Sequence, residues 1–188
     1  TDYLVNNLGV GGETTHTIAA RQGGISAILK NNITIPADTS AVLIGNSTDS
    51  GMLSGWDYVT KIKPLMQGSA GVNPVVVDGI ECTLSYTSSN YYLARSIAGT
   101  SRTVYAGTPL YFKANKNKRE SHVQVIYIGT NGVWTNSADL ISQIRAMIEF
   151  SGSKKFIIVG LHYVGGYVKQ DYINLEHDMI KAFGAQFY

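Results

Sequence analysis

One run constrains the fold more than any other: Val123-Gln124-Val125-Ile126-Tyr127-Ile128, apolar or aromatic at every position but Gln124. Near-continuous apolar strands of this kind suit a parallel sheet covered on both faces. The residues after it point the same way. Gly129-Thr130-Asn131-Gly132 forms a tight turn, Ser137 suits an N-cap, and Leu140, Ile141, Ile144, Met147 and Ile148 repeat at helical spacing. Phe156-Ile157-Ile158-Val159-Gly160 predicts a second buried strand. Tyr172, Leu175, Met179, Ile180 and Phe183 predict a last helix closed by Gly184.

The start of the chain carries the same grammar. Residues 3–8 read as a strand, Gly9-Val10-Gly11-Gly12 as a turn, and Thr14 or Thr15 as the start of a helix. Gly23-Gly24 weakens or ends that helix, and Ile25, Ile28 and Leu29 resume an apolar stripe at helical spacing. Between Asn31 and Glu120 the texture changes to short β-rich runs, among them Ile33–Ile35, Ala41–Ile44, Val75–Val77, Ile80–Leu84, Tyr91–Ala94 and Leu110–Phe112. Turns such as Gly45-Asn46-Ser47 and Ser88-Ser89-Asn90 separate them, as in a small sandwich or barrel. The expected architecture is therefore a three-layer α/β/α parallel sheet, flavodoxin-like, with an inserted all-β subdomain. Residues 1–30 and 121–188 form the α/β part and residues 31–120 the insert.

Composition narrows the function. The chain has 188 residues, 44% of them apolar, enough to bury a core and to exclude disorder. A net charge of +2 gives no argument for a nucleic-acid partner. No apolar stretch reaches the roughly 18 residues of a membrane span. A single cysteine, Cys82, excludes an internal disulfide framework and a Cys-rich zinc site. His16, His122, His162 and His177 are scattered, with no His-x-x-x-His and no paired carboxylates, so neither metal nor cofactor is expected. The low charge and the many Ser, Thr and Asn residues suit an extracellular, cell-surface or virion setting. The chain opens at Thr1 without Met or leader and stops at Tyr188 where a further strand is expected, so it reads as a piece of a longer polypeptide.

Ligands of open α/β sheets collect beyond the carboxyl ends of the strands, where the loops 9–15 and 129–136 lie. The first offers backbone N–H groups at a glycine turn, the second the neutral amide of Asn131. Converging on one point, a backbone N–H and an Asn amide make an oxyanion hole for acyl transfer. On spacing alone both loops suit ordinary tight turns better, with Asn131 and Gly132 tolerating positive φ. His162, after a buried strand, suits a structural or substrate-contact role, and His16 lies within reach of the pocket rim. His177 and His122 read as surface residues. The run Lys113–Arg119 reads as a solvated linker or a polyanion contact. Trp56, Tyr58, Tyr86, Tyr91 and Tyr92 read as half-buried strand aromatics or as stacking platforms for sugar rings. Cys82 reads as a small buried hydrophobe.

The stretch Asn7-Leu8-Gly9-Val10-Gly11-Gly12-Glu13-Thr14, with Ile18 and Arg21 after it, resembles the second sequence block of the SGNH (GDSL-type) hydrolases. Ile128-Gly129-Thr130-Asn131 resembles their third block, Gly-x-Asn-Asp at the end of a buried strand. The resemblance covers residues 1 to about 30 and 121 to 188. It implies a serine esterase removing a short acyl group, such as acetyl from carbohydrate, with Gly12 and Asn131 as oxyanion-hole donors and an ester or acylated glycan as substrate. The departures are concrete. The family's Gly-Asp-Ser nucleophile block and its Asp-x-x-His block are absent from this chain, and Gly132 stands where the family has Asp. The resemblance thus implies an intact esterase of which this chain holds only the oxyanion-binding part. The alternative is a non-catalytic glycan-binding or structural module of a cell-surface or phage-tail protein.

Overall fold

The structure, a computed structural model, describes residues 5–66, 72–113, 123–153, 155–161 and 169–184. Its largest element is a seven-stranded antiparallel sheet that curls into a half-barrel. The strands are β1 (Ala27–Leu29), β3 (Ala41–Asn46), β4 (Met52–Ser54), β5 (Val75–Val77), β6 (Ile80–Thr87), β7 (Asn90–Arg95) and β9 (Pro109–Phe112), in the order β3-β7-β6-β5-β9-β1-β4. Beside it β2 (Ile33–Ile35) and β8 (Arg102–Val104) form an antiparallel ribbon.

Two-residue turns drive this antiparallel region. Val77 lies opposite Ile80, leaving Asp78 and Gly79 at φ 49° and 75°, the left-handed pair of a type I′ hairpin. Thr87 lies opposite Asn90 in the same way, with Ser88 and Ser89 at φ 50° and 63°. Alternation then decides the faces: Cys82, Leu84 and Leu93 are fully buried, while Thr83 between the first two is exposed. Leu29, Ile35, Met52, Ile62, Val75 and Leu110 complete this core.

A smaller α/β region holds β10 (Gln124–Ile126) and β11 (Phe156–Ile158), which pair in parallel, with Val125 opposite Ile157. Helices α1 (Thr15–Gln22), α2 (Ser137–Ser151) and α3 (Lys169–Phe183) accompany them. Asn136, rather than Ser137, caps α2, its side chain accepting from the Asp139 N–H at 3.0 Å. Ile126, Ile128, Leu140, Ile144, Met147, Ile158, Leu175 and Met179 form a second core. Helix α1 serves both cores, Ala20 packing into the first and Ala19 into the second.

This architecture corrects the expected three-layer α/β/α parallel sheet. Among the described residues only β10 and β11 pair in parallel, and every other pairing is antiparallel. Residues 5–8 form no strand, and residues 3 and 4 lie outside the described segments. Ile28 and Leu29 belong to β1, not to a helical stripe. The reason is local: α1 ends at Gly23, φ 107°, and Gly24 lies so close to α2 that a Cβ there would meet Met147 N at 2.7 Å. After that close approach the chain turns into the sheet. The apolar runs 123–128 and 156–159 are also not covered on both faces. Val125 and Ile157 are 63% and 50% exposed, while Ile126 and Ile158 beside them are buried. The antiparallel region begins at Ala27 and closes at Phe112, and residues 114–122 lie outside the described segments.

Candidate active site

The loops 9–15 and 129–136 meet where α1 leaves the α/β region. Hydrogen bonds from Thr15 and Asn131 join them, the Thr15 hydroxyl reaching Val133 O as well as Gly132 O. The Thr15 N–H donates to Gly132 O at 3.3 Å, and the Thr15 hydroxyl reaches the same oxygen at 3.1 Å. The Asn131 Nδ2 amide donates to Glu13 O at 3.1 Å, the carbonyl one residue beyond Gly12. A primary amide carries two N–H donors. Asn131 is exposed, and its amide spends one donor on Glu13. Gly12 is exposed as well and sits at φ 91°, in the left-handed region that favours glycine. A Cβ added there would meet Leu65 Cδ1 at 3.2 Å.

What fixes the glycine turn is buried. The Glu13 carboxylate accepts from Arg21 Nε at 2.7 Å and from Leu65 N at 2.9 Å. Arg21 Nη2 lies 2.6 Å from Glu13 Oε2 and also donates to Leu8 O at 3.0 Å. The Glu13 and Arg21 side chains are 0% and 3% exposed, so charge is paired with charge deep in the fold. Arg21 thus clamps both ends of the 8–13 loop onto α1. Thr14 stands at the N-cap position of α1, yet its hydroxyl donates to Thr17 Oγ1 at 3.2 Å and caps nothing. Thr15 is the residue that ties the helix start to the second loop.

Of the histidines, His16 is buried on α1, and its Nδ1 makes no hydrogen bond. Burial pushes its pKa below the ordinary 6.5, against the opposing pull of the Asp57 and Asp139 carboxylates. His177 is exposed on α3, and His122 and His162 lie outside the described residues. Cys82 is fully buried, and burial pushes its thiol above the ordinary range, away from nucleophilic use. Of the aromatics, Tyr91 is buried in the core, its hydroxyl donating to Pro64 O at 3.1 Å, and its pKa is pushed up to about 12 chiefly by burial. Tyr86 packs on it, ring centroids 4.7 Å apart. Trp56 and Tyr58 stand on a loop at 45% and 67% exposure. Lys113 pairs with Glu81 at 2.5 Å, and the rest of the basic run lies outside the described segments. Among the described residues no three His, Cys, Asp or Glu side chains gather into a metal site. No described helix is long and apolar enough to cross a membrane.

Sequence reasoning missed the Glu13–Arg21 pair. The signal available was an acid in a glycine turn with an arginine two helical turns later, a spacing that no local rule links.

Comparisons with known proteins add little. No protein-family model matches the chain, and no curated protein matches it. Among solved structures it is similar to a pyruvate kinase from Pyrobaculum aerophilum, at 12% identity and a TM-score of 0.28. That similarity covers 84% of this chain and 36% of the kinase chain, and at such a score it carries no argument about fold or activity.

Proposed function

We propose that this chain carries the oxyanion-binding part of an SGNH-type serine esterase acting on a short acyl ester, such as that of an acetylated glycan. The serine nucleophile and the Asp–His pair, which this chain does not hold, come from segments flanking it. In that reaction the serine attacks the ester carbonyl while His takes its proton and later returns it to the leaving alcohol. The Gly12 N–H and the second N–H of the Asn131 amide receive the tetrahedral oxyanion. Only this pair of loops and the elements that present them take part, not the antiparallel sheet. Support comes from the 3.1 Å hydrogen bond from Asn131 Nδ2 to Glu13 O, which brings the amide beside the Gly12 turn.

The test is kinetic. In the protein expressed with its flanking coding sequence, Asn131→Ala is expected to lower kcat on p-nitrophenyl acetate by about a hundred- to thousand-fold with KM little changed. An unchanged kcat in a folded variant makes Asn131 a turn residue and removes the esterase reading. A second reading, a non-catalytic glycan-binding module, is favoured by the exposed rings of Trp56 and Tyr58 on one loop. Under it the flanked protein does not hydrolyse the ester, and Trp56→Ala abolishes retention on a glycan column.

A further inference from the structure

The turn that presents Gly12 has a neighbour from the antiparallel region. Ile62-Lys63-Pro64-Leu65-Met66 lies on the connection between β4 and β5 and passes along α1 and the 9–15 loop. Its backbone is pinned almost residue by residue. The Ile62 N–H donates to Met52 O at 3.0 Å, the Lys63 N–H to Thr17 Oγ1 at 3.1 Å and the Leu65 N–H to Glu13 Oε1 at 2.9 Å. Pro64 O accepts from the Tyr91 hydroxyl at 3.1 Å. Anchors on β4, α1, the Gly12 turn and β7 thus give Leu65 a fixed support. Ile62 is fully buried and Met66 packs against the first core, whereas Leu65 is half-buried and turns towards Gly12. Its Cδ1 methyl stands 3.2 Å from the place a Gly12 Cβ would take.

An apolar group therefore stands against the turn whose N–H receives the oxyanion in the esterase reading, on which this inference rests. The carbonyl carbon of an ester bound there carries two substituents. In an acylated glycan the acyl chain is apolar, while the alcohol is a polar sugar. A leucine methyl offers a sugar hydroxyl no hydrogen bond and matches the alkyl chain. A methyl on a pinned backbone also limits room, and one methylene in an apolar pocket is worth about 10–200-fold in discrimination. We propose that Leu65 bounds the acyl subsite of the Gly12–Asn131 site and restricts it to acetyl, rejecting longer chains. The antiparallel region enters the site through this connection and not through its strands.

The experiment takes the protein expressed with its flanking coding sequence and compares p-nitrophenyl acetate with p-nitrophenyl butyrate, which differ in the acyl chain alone. The unaltered protein is expected to favour acetate in kcat/KM. Leu65→Ala keeps the backbone N–H to Glu13 and removes the wall, and the butyrate-to-acetate ratio of kcat/KM is expected to rise about ten-fold or more. Leu65→Val, which removes one methylene, is expected to move the ratio the same way by less. Thermal melting verifies folding, and Leu65→Val decides if Leu65→Ala does not fold. A purely structural role for Leu65 lowers both esters together and leaves the ratio where it was. An unchanged ratio in the folded variants, or an unaltered protein that takes butyrate as readily as acetate, overturns this inference alone. So does a changed preference between p-nitrophenyl acetate and an acetylated methyl glucoside at a fixed acyl ratio, which puts Leu65 at the leaving alcohol. Hydrolysis of no ester by the unaltered protein overturns the esterase reading, and this inference with it.

Discussion

Glu13 holds the joint between the two cores, its carboxylate shared between Arg21, which returns to Leu8, and the Leu65 N–H. Removing one partner of a buried ion pair leaves the other charge stranded, at a cost of about 3–5 kcal/mol. Glu13→Ala is therefore expected to destabilise the chain by that amount, read as a lower urea midpoint. A loss under about 1 kcal/mol contradicts a structural role for the pair at this joint. His16 sets a pH dependence at the same place. Burial keeps its folded pKa below 6.5, so the unfolded chain takes up the proton first as pH falls. Stability contributed here is present above about pH 6.5 and lost below it, down to the folded pKa. The melting temperature is expected to fall between about pH 7 and about pH 5, and His16→Gln to flatten that part of the profile. A profile that His16→Gln leaves unchanged assigns the dependence to other groups.

At the scale of elements, Ser88 and Ser89 hold left-handed φ in the β6–β7 turn without being glycine or asparagine. Replacing them by Asn and Gly supplies the residues a type I′ turn favours and is expected to stabilise by about 1–2 kcal/mol, measured by chemical denaturation. No gain means that the Ser89 carbonyl, which accepts from Ser47 N at 2.8 Å, holds the turn independently of residue type. Elements of this kind were the most legible in the sequence. Val75–Val77 is a strand at the residues that its β-branched run and the flanking turn indicate, and β6, β7 and β9 differ from expectation only at their ends. Helix α2 followed from the spacing of Leu140, Ile144 and Met147, all buried. The segment Ile25–Leu29 was not legible, because Ile25, Ile28 and Leu29 fit helical spacing while Ala27–Leu29 equally suits a short buried strand. The glycine pair and its contact with Met147 decided between them, and that contact is tertiary. The Gly12 turn was visible as glycine-rich, whereas the buried Glu13–Arg21 pair that fixes it depends on burial no local pattern reveals.

For the whole molecule, short-range signals could not supply the order of the sheet. Strand β9 pairs with both β5 and β1, and β1 with β4, contacts across long stretches of chain. Those pairings place most of the chain in an antiparallel half-barrel and leave only β10 and β11, among the described strands, in parallel. The strand–turn–helix texture near the C-terminus was real, but it was generalised to a sheet that its two parallel strands do not build. What the fold achieves is to carry Gly12 and Asn131, distant in sequence, onto adjoining loops through α1. The proposed convergence of the two on a reacting oxygen is tested most directly by trapping. The protein with its flanking segments is treated with a p-nitrophenyl phosphonate, and the adduct is crystallised. The expected result is a phosphonyl oxygen within about 3 Å of both Gly12 N and Asn131 Nδ2. A trapped oxygen held by other donors, or an unmodified protein, contradicts it.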